Sequence, residues 1–286
     1  MKYFFPRNKR SPDKSLLIKE NEILSELTNK SGTGLFLGKY PLNAVLAVFS
    51  KKNFFKEAQK RKLWPLKFDL DSTEFPPLQR YRIYYQIKDP KNLVVDLKIR
   101  EHRFKIDNEI GFELPLPEFN FLTLEWLTLQ NPLQEFSKEK TPLPGQKHPG
   151  LSLGRKVVDL FIYLARLNGN DGILAFPSYL HNALLFSRYF HFVNPEKKAE
   201  IMAIRKTFSN LSFKELAWIV HLDCLRVNGK NNYEWAAEAQ IYPMNKLLKK
   251  YFNSRQYKDK VKDAQRHNVY TIDWEAYNRK RGSVKY

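Results

Sequence analysis

The chain has 286 residues, 43% of them hydrophobic and 14% aromatic, enough to bury a sizeable core as one large domain or as a core with appended segments. Its single cysteine, Cys224, excludes an internal disulfide framework, and with no second ligand pair beside His221 and Cys224 no metal is expected. A net charge of +19 favours polyanionic partners such as nucleic acid, an acidic surface or a phosphorylated ligand.

The basic stretch at residues 1–15 lacks the apolar centre of a secretory signal, and the apolar run at 42–49 is far below the roughly twenty residues of a bilayer span, so no transmembrane segment and a cytoplasmic location are expected. Leu16, Leu17, Ile18, Ile23, Leu24 and Leu27 recur at helical spacing within 15–30, and Ser31-Gly32-Thr33-Gly34 ends that helix. A second helix is expected over 43–62, carrying Lys51, Lys52, Lys56, Lys60, Arg61 and Lys62. Residues 81–87 and 93–99 alternate with period two and read as strands joined at Asp89-Pro90-Lys91-Asn92. The best central strand is 119–130, with Thr123, Glu125, Leu127 and Leu129 on one side and Leu122, Leu124 and Trp126 on the other. Pro132, Pro142, Pro144 and Pro149 make 131–149 an ordered extended loop and not a helix.

Gly150-Leu151-Ser152-Leu153-Gly154-Arg155 then opens a helical run to residue 167, whose apolar face carries Leu153, Val157, Val158, Leu160, Phe161, Leu164, Ala165 and Leu167. A tight turn with outward N–H groups, followed by the unpaired donors and positive dipole end of a helix, forms a phosphate-sized cradle. The competing reading is plain turn chemistry before a helix. Asn168-Gly169-Asn170 is a helix stop, 173–176 a short buried strand ended by Pro177, and Ser178 an N-cap for a helix to 190 before a strand at 192–193. Strand, turn, helix, strand, helix, strand is an α/β order.

Residues 120–195 resemble the GNAT N-acetyltransferase superfamily. The resemblance lies in Gly150-x-Ser152-x-Gly154 at the start of a long helix with Gln146 and Lys147 upstream, and in Asn182, Ala183, Phe186, Arg188 and His191-Phe192. It implies a mixed, mostly antiparallel central sheet flanked by helices, and an acyltransferase that uses acetyl-CoA or another acyl-CoA as substrate to acylate an unidentified amine. It further implies coenzyme binding by Gly150, Leu151, Ser152, Leu153, Gly154, Arg155 and Asn182, with Glu125 as general base. Ser187 stands where the superfamily has a tyrosine acid, and a serine hydroxyl is the weaker proton donor. Tyr189 lies two helical steps round, on the opposite face. For Glu125 two readings stay open, a buried base with a raised pKa or a strand-edge glutamate reaching solvent or pairing with a lysine.

Residues 196–286 read as mostly helical. Ser212 and Glu215 form a capping-box pattern, Asn228-Gly229 stops that helix, and 233–239 is a further short helix or strand. Trp218, Trp235 and Trp274 read as packing anchors. The expected division is a basic helical segment at 1–65, a core at 66–195 and a basic helical extension at 196–286. The alternative function is a non-catalytic basic protein binding nucleic acid or an acidic partner, through Arg279, Lys280, Arg281 and Lys285 or through the lysines of 246–262 with Tyr251, Phe252 and Tyr257 among them.

Overall fold

The structure, a computed structural model, describes residues 34–137, 139–229 and 231–282; the helix expected at 15–30 lies outside these. Helices α1 (Leu42–Lys51) and α2 (Phe54–Lys60) precede four strands, β1 (Leu66–Asp71), β2 (Gln79–Tyr85), β3 (Leu93–Phe104) and β4 (Phe119–Leu129). Then follow α3 (Gly154–Leu167), β5 (Gly172–Ala175), α4 (Leu180–Phe186) and β6 (His191–Phe192). The remainder contains α5 (Pro195–Thr207), α6 (Phe213–His221), β7 (Leu225–Val227), β8 (Asn231–Asn232) and β9 (Gln240–Pro243). It closes with α7 (Lys246–Asn253), α8 (Arg255–Ala264), β10 (Tyr270–Ile272) and α9 (Trp274–Gly282).

Seven strands form the central sheet in the order β1-β2-β3-β4-β5-β9-β6, and β10-β7-β8 form a small second sheet. Every neighbouring pair in the large sheet is antiparallel except β4 and β5, which run parallel. The fold is therefore a mixed α+β fold with a mostly antiparallel sheet and flanking helices. The strands at 81–87 and 93–99 appear as β2 and β3, and Asp89 accepts a hydrogen bond from the Lys91 N–H in the 3-10 turn between them. The described residues of Pro-rich 131–149 form neither helix nor strand.

Local chemistry moves several boundaries. The single helix expected over 43–62 is two helices, because Asn53 adopts φ +58, a left-handed conformation that asparagine tolerates and that no helix continues through. The helix expected from Ser178 to 190 is only α4, with Tyr179 at its N-cap and no side-chain cap bond. Asn228 and Gly229, both at positive φ, turn β7 into β8, whereas α6 ends at His221. The capping box at Ser212 and Glu215 does form, each backbone N–H donating to the other's side chain at 3.1 Å.

The C-terminal third corrects the expected division most. Residues 233–239 are neither helix nor strand, and 240–243 form β9, an interior strand between β5 and β6. The segment after residue 195 thus completes the central sheet instead of extending a finished core.

On one face of the sheet, α1, α2 and α3 cover a core that includes Phe49, Phe55, Tyr81, Ile83, Leu97, Leu122, Leu124 and Phe161. The far end of the other face buries Phe119, Phe121, Leu174, Ile241, Tyr251, Phe252 and Tyr257. The three aromatics of the basic stretch 246–262 are therefore core residues, and Tyr257 donates its hydroxyl to the Phe192 carbonyl at 2.6 Å. That surface presents lysines without the stacking rings a single-strand binder uses.

Candidate functional site

Strands β4 and β5 pair from Phe121/Gly172 to Leu124/Ala175. There β5 stops, since Phe176 is followed by Pro177, which has no N–H to continue a ladder. Strand β4 runs on along β3 to Leu129, and the chain returns to it only at an isolated bridge between Gln130 and Gly150. The sheet is consequently forked along residues 125–129, leaving a slot in the strand pairing roughly 16 Å long at about 3.3 Å per residue.

At the root of the fork β4 carries a bulge. Lys98 faces Trp126 and Ile99 faces Leu124, so Glu125 is the extra residue. The bulge resets the alternation expected for this strand. Leu127 and Leu129 share the helix-covered face with Leu122 and Leu124, while Glu125 and Trp126 line a groove on the opposite face. Glu125 is not fully buried; its side chain is 29% exposed, and Arg100 Nε donates to its Oε1 at 2.5 Å. The carboxylate is therefore partly exposed, as in the second of the two readings, but its partner is an arginine and not a lysine, and it sits where the strands part.

His102, one step further along the same side of β3 as Arg100, was not singled out by sequence. Burial, reinforced by the Arg100 charge, lowers its pKa, and its Nδ1 is buried without a hydrogen-bond partner among the described residues. The available signal was the alternation Lys98, Arg100, His102 on a strand whose other side is apolar up to Ile99.

At the far end of the slot lies the glycine turn. Leu151 and Leu153 are buried and anchor it, and Ser152 between them adopts φ +55, an unusual conformation for a residue with a Cβ. Asn131 N–H donates to the Pro149 carbonyl at 2.8 Å beside the Gln130–Gly150 bridge, so this first part of the turn is used to tether the loop to β4. The N–H groups of Ser152, Leu153, Gly154, Arg155 and Lys156 donate to no described group. Helix α3 has no side-chain N-cap and no acid in its first turn, where the dipole favours one. Basic residues stand there instead: exposed Arg155, with no ion-pair partner among the described residues, and Lys156, 3.3 Å from Glu57 of α2. Glu57 is held down to about 2 by its hydrogen bonds from Arg61 and Lys156. The open N–H groups are thus those of 152–156, shifted downstream of the 150–155 expected to form a cradle.

The long loop before the cradle is positioned by the C-terminal third. Lys214 Nζ donates to the Thr141 carbonyl at 2.7 Å, and Trp218 Nε1 to the Pro142 carbonyl at 2.9 Å. Gly145, at φ +76, lies so close to Tyr179 that a Cβ there would stand 2.5 Å from the tyrosine oxygen. Trp235 likewise anchors β5's exit, donating to the Pro177 carbonyl at 3.1 Å, whereas Trp274 is exposed and packs edge-on against Tyr277.

Under that loop Tyr179 stacks on His181 with ring centres 5.2 Å apart, and His181 is 4% exposed. Burial first, and then the His221 charge, push its pKa down to about 4. A histidine whose folded pKa lies below its unfolded value of about 6.5 withdraws stability as pH falls, because only the unfolded chain takes up the proton. Between pH 6.5 and 4 this loss should reach on the order of 3 kcal/mol. Unfolding free energies from urea denaturation at pH 7 and pH 4.5 should converge by about that amount in His181→Phe relative to the unaltered chain. Parallel pH dependence in the two proteins would refute it.

The remaining expected residues are placed less centrally. Asn182 lies in the first turn of α4, half-buried, and its side chain makes no hydrogen bond among the described residues. Ser187 is exposed at the C-cap of α4 and donates its hydroxyl to the Leu184 carbonyl at 2.8 Å, so it is engaged with its own helix. Tyr189 is half-buried against the core under α1–α3. Cys224 is buried, its Sγ 3.3 Å from the Leu222 carbonyl, and the described residues contain no group of three or more potential metal ligands. No helix among them is long and apolar enough to cross a membrane.

No protein-family model matches this chain, and no curated protein matches it in sequence.

Proposed function

We propose that this protein is an acyl-coenzyme A-dependent acyltransferase of the GNAT type that acylates a primary amine. The observation that carries the reading is the fork: one parallel strand pair within an otherwise antiparallel sheet, opening at Glu125 and leading to the open amides of α3. Five consecutive N–H groups at the positive end of a 14-residue helix, with Arg155 beside them, suit a diphosphate. The slot between them and Glu125 suits the extended arm that links a diphosphate to a thioester. When bound, the coenzyme supplies an activated carbonyl, whose C–S bond breaks as the C–N bond to the amine forms and whose sulfur leaves as a thiol.

The protein's own groups then have distinct tasks. Glu125 Oε2, left open by the Arg100 contact at Oε1, accepts a proton from the acceptor's ammonium directly or through water. Arg100 fixes the orientation of that carboxylate. The amide keeps only one of the ammonium's three protons; of the other two, one passes through Glu125 to solvent and the other ends on the thiol. Ser187, turned back on its own helix, leaves protonation of the sulfur to water.

Calorimetric titration with acetyl-CoA, followed by thiol release in the presence of mixed amines, tests the reading. Glu125→Gln should reduce kcat about 100-fold with the coenzyme Kd unchanged. Absence of any coenzyme binding at hundreds of micromolar would dismiss the proposal.

A further inference from the structure

We infer that the acceptor is a small zwitterionic amine, a molecule whose own carboxylate or phosphate lies within a few ångströms of the nitrogen that is acylated. The inference rests on the acyl-transfer reading above and names its second substrate. Behind Glu125, on the sheet face away from α3, lies a groove of about 620 Å³, a size that takes a small-molecule ligand. Its charges are not all alike in what they have left to offer. Asp96 is buried and fully taken up by Arg80, whose Nε and terminal nitrogen each donate to it at 2.7 Å. Arg100 gives only its Nε to Glu125, and its two terminal nitrogens donate to no described group. Lys98, one step back on the same side of β3 and so roughly 7 Å away, has no ion-pair partner among the described residues.

The groove therefore presents an open carboxylate oxygen of Glu125 at the fork, with Arg100 and Lys98 directly behind it keeping spare donors; exposed Glu74 and the remaining terminal nitrogen of Arg80 also line it. An ammonium answers Glu125, and an anion attached to the same small scaffold answers Arg100 and Lys98. A polyamine would satisfy Glu125 but find, besides exposed Glu74 and the already paired Asp96, only the cations Arg80, Lys98 and Arg100 for its further charges. Trp126, opposite Lys98 in the strand register and 47% exposed, forms an apolar wall for the rest of the molecule. The +19 net charge draws anionic solutes toward the protein as a whole.

Matched acceptors decide the matter. With saturating acetyl-CoA, phenylalanine, tryptophan, lysine and O-phosphoethanolamine are compared with phenethylamine, tryptamine, cadaverine and ethanolamine by thiol release. In at least one pair the anion-bearing member should have a kcat/KM at least ~10-fold higher, and the pair concerned assigns the anion as carboxylate or phosphate. Lys98→Ala should raise the KM of that member about 10-fold, with kcat, the KM of its anion-free counterpart and the acetyl-CoA Kd each within about twofold. Calorimetric binding of the same amine to the protein loaded with coenzyme A should weaken by a similar factor. A protein that binds acetyl-CoA yet acylates anion-free amines equally well, or acylates none of these acceptors, overturns the inference and leaves coenzyme binding standing. Loss of coenzyme binding itself would bring down the reading beneath it.

Discussion

Valine at position 154 should abolish acyl-coenzyme A binding while the protein remains folded. Gly154 is the first residue of α3, and a Cβ built there meets no heavy atom within 4 Å, so nothing in the protein requires glycine. Valine is no worse than glycine in a helix, and stability should change by no more than about 0.5 kcal/mol. A branched side chain would, however, stand among the five open N–H groups of 152–156 and keep a diphosphate from reaching them. A Kd weakened at least ~100-fold by calorimetry, with an unchanged unfolding midpoint, is the expected result. An unaltered Kd would show that the coenzyme, if bound, lies elsewhere.

Alanine at Gly172 should do the reverse. A Cβ there would lie 2.5 Å from the Tyr242 carbonyl oxygen of β9 and 3.0 Å from a Phe121 ring carbon of β4. The first of these atoms is backbone in an interior strand and cannot swing away, so the sheet itself must shift. The loss of stability should be about 3 kcal/mol, at the upper end for one added methyl group, and urea denaturation should show the midpoint falling at constant slope. A loss under about 0.5 kcal/mol would mean that β9 does not close on β5 as described. Together the two substitutions test separately whether a glycine is needed for packing, at 172, or for access of the proposed coenzyme, at 154.

Glu125 shows how much of the candidate site was legible in the chain and where legibility stopped. An ionisable residue in a run of Leu, Thr and Trp marks a position of interest, and period-two alternation assigned it a face shared with Leu127 and Leu129. The bulge at that same residue breaks the period, sending Glu125 and Trp126 to the open groove and all four leucines to the helix side. Its partner Arg100 comes from β3, 25 positions earlier, and only the strand register brings the two together. The turn before α3 was more legible because its elements are contiguous: small residues, a buried leucine on each side of Ser152, and a helix start. What the residues did not reveal is that Gly150 is taken up by a bridge to Gln130, which moves the open amides downstream.

Local periodicity was sufficient for β2, β3, β4, α3 and the capping box of α6, because each depends on neighbours within a few positions. Apolar alternation, proline placement and a serine three residues before a glutamate act through the backbone nearby, and apart from the bulge at Glu125 in β4 nothing overrode them. The sheet order was decided otherwise. Strand β9 is four residues long and lies 65 positions beyond the end of β5, yet it occupies the interior position that pairs β5 with β6. So short a run has no periodicity to read; it becomes a strand only because β5, Phe192 and the aromatic core beneath offer it hydrogen bonds and burial. The fork likewise exists only in three dimensions, where Pro177 ends one strand while its parallel neighbour continues.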